Sequence, residues 1–201
     1  MSAWLFIFGR THELSFHELA ALVHSPITRI TSDVARAQDL HEEIVPEEFI
    51  NRVGGTVKIA REKGRIQTVT AEAMLPFLKD EGKQLTFGVS LYGGAGNVDT
   101  DLLNRVKEIL AGRGIRARYV VPHEGNILSS VVITKQHVRE LILVASDRGH
   151  IVGETVAVQD FEAWNTRDYG RPYADPKAGM LPPKVARMAV NLASASTHSR
   201  I

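Results

Sequence analysis

Three glycines in the string LYGGAGNVD, Gly93, Gly94 and Gly96, stand between an apolar run and a helical pattern. That is the setting in which a glycine turn cradles a pyrophosphate. The full fingerprint needs a further glycine three residues after Gly96, for close helix packing, and Asp99 stands there instead. A carboxylate at that end would also repel phosphate, so the stretch reads as a strand-to-helix turn. The chain has eight histidines, and none forms the His-Glu-x-x-His pattern that places two ligands one helical turn apart. His17 and His24 are seven residues apart, and His12, His41 and His123 each sit beside a glutamate without a third ligand nearby in sequence. No metal is expected. Cysteine is absent and no Gly-x-Ser-x-Gly turn occurs, which leaves no recognisable nucleophile.

Charge is the more informative chemistry. The net charge of +1 conceals segregation along the chain. Residues 38–49 carry Asp39, Glu42, Glu43, Glu47 and Glu48 with no cation. Residues 58–65 carry Lys58, Arg61, Lys63 and Arg65 against Glu62, and residues 104–118 carry Arg105, Lys107, Arg113, Arg116 and Arg118 against Glu108. A protein arranged in this way can attract phosphate locally while staying near neutrality overall.

Those side chains must be held by ordinary globular elements. The 201 residues are 44% hydrophobic and 23% charged, enough for one large domain or two small ones. No apolar run approaches the roughly 20 residues that span a bilayer. The apolar start, residues 1–9, lacks a basic leader and a small-residue cleavage site, so a cytoplasmic protein is expected.

The first 60 residues read as β-α-β-β-α-β. Residues 4–8 form a buried strand, and Ser15 with Glu18 makes a capping box for a helix over 16–24, with Leu14 and Leu19 as its hydrophobic staple. Strands follow at 27–31 and 34–40, then a helix at 46–53 stopped by Gly54 and Gly55, and a strand at 56–60. This order is the ferredoxin-like one. A polar link over 61–67 leads to a second unit. There a helix over 70–80 is bent or shortened by Pro76, and a strand covers 85–91. Asp99 or Thr100 caps an amphipathic helix that Gly112 and Gly114 end, and strands are expected at 116–121, 130–134, 141–146 and 150–158.

The last organised stretch, residues 167–193, reads as a loop rich in Arg, Gly and Pro that opens a helix at Pro182 and Pro183. Val185, Met188 and Leu192 share one face of it. The eight residues after it are small and polar and offer no partner, so this face is expected to lie bare, with partial disorder or self-association as the result.

The string DYGRPYADPKAGMLPPKVA (168–186) resembles the stretch preceding the catalytic domain in THUMP-containing RNA methyltransferases of the tRNA guanine-N2 type. Similar to the same family are LFIFGRTHELSFHELAAL (5–22), RVGGTVKI (52–59), LTFGVSLYG (85–93), SSVVITK (129–135) and GETVAVQDFEAWNTRDYGRP (153–172). The resemblance implies a ferredoxin-like domain over 1–62, a THUMP-like RNA-binding domain over 63–160, and a linker with a first helix over 161–201. It implies tRNA as partner, recognised at its acceptor end, and S-adenosylmethionine as the cofactor of the complete enzyme. By position, Asp175, Gly179, Met180 and Leu181 would help line that cofactor's site, whereas Ala174 stands where the family usually has a basic residue.

A methyltransferase of this kind holds its flipped base with an Asp-Pro-Pro-Tyr-like motif, which supplies acceptors for the amine and a stacking ring. No Asp-Pro-Pro or Asn-Pro-Pro occurs here, and Asp175-Pro176 is followed by Lys177. The expectation is therefore an α+β chain that binds RNA and is not catalytic alone, with no cofactor bound by this chain alone. It is either a truncated or split product, or a free-standing module that docks a separate catalytic subunit or another protein through its terminal helix. RNA read through shape and backbone calls for basic side chains, and the candidates are Arg10, Lys58, Arg113, Arg116, Arg118 and Lys135.

Overall fold

The computed structural model describes residues 3–38, 45–78, 84–94, 98–170, 173 and 179–198. In chain order it comprises β1 (Ala3–Phe8), α1 (His12–Leu22), β2 (Ile27–Arg29), β3 (Val34–Gln38), α2 (Pro46–Arg52) and β4 (Thr56–Ile66). There follow α3 (Ala71–Met74) with a 3-10 turn (Leu75–Phe77), β5 (Gln84–Tyr92), α4 (Thr100–Gly112), β6 (Arg116–Val120) and α5 (Ser130–Lys135). The rest is β7 (Arg139–Ser146), β8 (Gly149–Val158), α6 (Phe161–Tyr169) and α7 (Pro183–His198).

Among the described residues all eight strands belong to one mixed sheet, in the order β2-β3-β1-β4-β8-β7-β5-β6. The pairs β5–β6 and β5–β7 are parallel and the others antiparallel. The sheet's backbone is β4 paired with β8, and two register shifts bend that ladder at Ile59/Ala60 and Glu62/Gly64. Such bulges increase local twist. The consequence is that Leu5, Ile7 and Val34 from one half pack with Tyr92, Ile142, Val144 and Ile151 from the other. Helices cover the opposite face. Phe6, Phe8, Leu19, Phe49 and Ile50 form a core under α1 and α2, and Met74, Leu78, Phe87, Leu103, Val106 and Leu110 form one under α3 and α4.

Several expectations are corrected. Residues 61–67 are not a link: β4 continues to Ile66 and pairs with β8, so the boundary expected between residues 62 and 63 lies within a strand. Residues 130–134 are helical, because the Ser129 hydroxyl accepts from the Val132 N–H at 3.3 Å and Ile133 turns inward against Leu128 and Val138. Their β-branched run imitated a strand. Helix α6 lies where a loop was read to begin, started by the Asp160 carboxylate, which accepts from the N–H groups of Glu162 and Ala163 at 3.0 Å.

The capping box at Ser15 and Glu18 is replaced as well. Helix α1 starts a turn earlier, Ser15 Oγ donates to the Thr11 carbonyl at 2.7 Å, and Glu18 serves another element. Its carboxylate accepts from the backbone N–H groups of Gly54 at 2.9 Å and Gly55 at 2.8 Å, and from Asn191 Nδ2 at 2.6 Å. Asn191 belongs to α7, and this overturns the expectation of a bare terminal helix. Met188 is fully buried, with its sulfur 3.9 Å from Ser15 Oγ, and Asn191 also donates to the Arg52 carbonyl at 2.9 Å. The partner of α7 is α1 of the first unit. Gly54 makes the approach possible, since a Cβ there would meet the Lys184 carbonyl oxygen at 2.3 Å.

Candidate nucleic-acid interface

Strand β6 lies at the edge of the sheet and alternates Arg116, Ala117, Arg118. Ala117 packs into the core beneath α4, so the alternation of a strand sends both arginines to the opposite face, where they are exposed. Arg118 Nε donates to Thr86 Oγ1 of neighbouring β5 at 2.9 Å, which orients the guanidinium along the sheet. Arg113 is exposed at the end of α4, where Gly114 at φ 80° turns the chain into β6. Arg116 and Arg118 are brought to one face, whereas Arg113 belongs to the end of the helix that covers the other. Positive side chains on an edge strand also discourage pairing with another sheet.

The other candidates are elsewhere. Arg10 is exposed just after β1, which β4, β8, β7 and β5 separate from β6 in the sheet. Lys135 is exposed at the end of α5, with its ammonium 5.7 Å from the Phe161 ring centre and 3.8 Å from Glu162. Lys58 is unavailable to RNA, being only 2% exposed. Its ammonium donates to Glu140 Oε1 at 2.6 Å and to the Leu128 carbonyl at 2.7 Å. The hydroxyls of Ser90 and Thr155 donate to the two oxygens of the same carboxylate, and Ser90 Oγ accepts the Leu128 N–H at 2.9 Å. Burial lowers the Lys58 pKa, against the pull of Glu140. One signal of this pair was present in sequence: TVKIA sets a lone cation within an apolar run, and in RELILV Glu140 stands directly against another.

The glycine turn is a structural joint. Gly93 has φ 69°, and a Cβ there would stand 2.3 Å from Thr31 Cγ2, so the turn docks against the β2–β3 connection. The Asp99 carboxylate occupies the start of α4, accepting from the Leu102 N–H at 2.7 Å. Gly96 lies outside the described residues. Among the described residues no three His, Asp or Glu side chains converge in a group able to hold a metal ion.

Of the residues tied to a cofactor, Asp175 lies outside the described set. Gly179, Met180 and Leu181 are exposed. A cleft of about 250 Å³ opens beside them, lined by Phe161, Trp164, Tyr169, Pro182, Pro183 and Lys184 among others, and none of the three lines it. Trp164 is instead a structural anchor, with Arg167 4.7 Å and Lys184 5.7 Å from its ring centre. Burial lowers the Lys184 pKa, and its ammonium donates to Gln159, whose amide nitrogen donates to the carbonyls of Val53 and Gly54.

No family model and no curated relative matches this sequence. In fold the chain is similar to TrmN from Thermus thermophilus, with a TM-score of 0.55 and 14% identity, over 97% of this chain and 55% of that one. A 4-thiouridine synthetase, solved in complex with RNA and with bound ATP, aligns over 80% of this chain and 42% of its own at a TM-score of 0.45 and 9% identity. The likeness to TrmN along nearly the whole chain shows a shared mixed α/β fold. The chain spans about 55% of the length of that structure. Among the described residues no helix is long and apolar enough to cross a membrane.

Proposed function

We propose that this chain is the RNA-binding part of an S-adenosylmethionine-dependent tRNA guanine-N2 methyltransferase, binding the acceptor end of tRNA and not catalytic alone. The observation that carries the reading is the exposed pair Arg116 and Arg118 on the edge strand of a sheet whose fold is similar to TrmN. Exposed guanidiniums fixed on a rigid strand suit phosphate oxygens, to which they donate in pairs. The sequence resemblance of residues 168–186 supplies the methyltransferase part of the reading, and the cofactor belongs to the complete enzyme.

The test is fluorescence anisotropy of the chain with deacylated tRNA, with and without its single-stranded 3′ end, across a salt series. Binding that weakens when that end is removed, with affinity falling steeply in salt, supports the reading. Indifference to the 3′ end refutes acceptor-end recognition, and no binding at all refutes RNA binding.

A second reading, docking of a separate catalytic chain, is favoured by one observation. Tyr169, Tyr173, Met180 and Leu181, spread in sequence from the end of α6 to the start of α7, are 84%, 90%, 42% and 58% exposed. The docking surface would then include these four side chains rather than the buried centre of the terminal helix.

A further inference from the structure

The cations of β4 divide into those the protein uses internally and one it does not. Lys58 is paired with Glu140, Arg61 lies 5.0 Å from the Trp4 ring centre, and Lys63 is 2.8 Å from Glu154. Arg36 and Arg139 on other strands are likewise held, by Glu62 and Glu154. Among the described residues Arg65, at the far end of β4, has no ion-pair or hydrogen-bond partner for its side chain, and neither has Arg148 in the β7–β8 turn. Yet the two line one open cleft of about 420 Å³, with Ser146 and Asp147.

The fold places them there. The β7–β8 turn is a tight one across Asp147 and Arg148, closed by Ser146 Oγ donating to the Gly149 carbonyl at 2.9 Å. Gly149 takes φ 88°, and a Cβ on it would lie 2.4 Å from the Ile66 carbonyl oxygen. Only glycine lets the turn press so closely on the end of β4. This contact holds Arg148 beside Arg65. Two like charges held at one cleft by rigid backbone, with one carboxylate also in the lining, are stabilised when an anion enters.

From this, and resting on the RNA-binding reading above, we infer that the cleft of Arg65, Arg148 and Ser146 is a phosphate contact for the RNA backbone, separate from the β6 arginines. Guanidinium forks suit a phosphodiester, and the open shape of the cleft suits a chain passing through it. Asp147 keeps the local charge low and limits the contact to about one phosphate.

The test is the salt dependence of tRNA binding by the whole chain carrying R65A/R148A, with R65K/R148K as the charge-preserving control. Circular dichroism checks that the fold is retained. The expected result is a log-affinity against log-salt slope shallower by about 0.9, one phosphate, with Lys restoring it. Should the double variant fail to fold, R148Q in the exposed turn carries the same measurement. An unchanged slope and affinity, while wild type binds tRNA, overturns the cleft and leaves the RNA reading intact. No binding by wild type overturns both. Inorganic phosphate is titrated separately without RNA: binding that saturates at the cleft while the tRNA slope stays unmoved assigns the cleft to a free anion and overturns the proposal.

Discussion

The Lys58 ammonium lies 2.6 Å from the Glu140 carboxylate, and the two side chains are 3% and 0% exposed. Together with Ser90 they hold both backbone groups of Leu128, and so fix the segment that leads from β6 into α5. Removing Glu140 leaves a buried ammonium without its counter-charge, which costs about 3–5 kcal/mol. The expected outcome for E140A is therefore a large fall in the urea midpoint. The double variant K58M/E140L recovers only part of the loss, because the Ser90 and Thr155 hydroxyls also donate to Glu140 and would lose their acceptor. A fall of under about 1 kcal/mol for E140A would show that the pair is not closed to water.

Glu154 gives the fold a dependence on acid. Burial pushes its pKa up, but Lys63 at 2.8 Å and Arg139 at 2.7 Å outweigh this and hold it below the ordinary 4.5. As pH falls below 4.5 the unfolded chain takes the proton first, so acid favours unfolding there. The contribution is fully present above 4.5 and is lost as pH drops through the folded value. The stability difference between wild type and E154Q should accordingly narrow on acidification from pH 6 to pH 3. A gap constant over that range would rule out Glu154 as the titrating group.

Much of the fold was legible because its signals are local. Asp99 followed by a 3.6-residue apolar period marked α4, and Pro76 did shorten its helix, which closes as a 3-10 turn at Leu75–Phe77. What escaped depends on partners far along the chain. Glu18 reads as a capping residue until Asn191 and Gly54 are known to converge on it. Lys58 reads as a surface cation until Glu140 is placed opposite. The Ser130–Lys135 helix was hidden by the strand propensity of Val131, Val132 and Ile133, which a short cap and one buried contact override. The β6 arginines were legible as a charge cluster, but their common face needed the register that buries Ala117.

The packing of α7 predicts what Gly54 does. With Ala there, the added methyl meets the Lys184 backbone oxygen at 2.3 Å and the side chains of Met188 and Arg187 at 3.1 and 3.2 Å. Backbone on both sides leaves little room to adjust, and overpacking of this kind costs about 1–3 kcal/mol. Amide exchange should show faster exchange through α7 in G54A, with β1 and β4 less affected. Uniform protection of α7 in both proteins would mean that the helix is held by contacts other than this crossing.

Lys58 and Arg116 supply the decisive contrast, since sequence made both RNA candidates and the structure separates them. Arg116 is exposed on the edge strand, so R116A should leave the unfolding midpoint unchanged while making the salt slope of tRNA binding shallower by about 0.9. R118A should do the same and cost a little stability besides, because Arg118 also bonds Thr86. Lys58, sealed against Glu140, should behave in the opposite way. K58M strands a buried carboxylate and lowers stability, but the salt slope of whatever protein remains folded should match that of wild type. The two readouts therefore divide the candidates into those that meet RNA and those that shape the surface it meets. A K58M variant that folds normally and binds with a shallower slope would place that ammonium in the RNA footprint and contradict its burial.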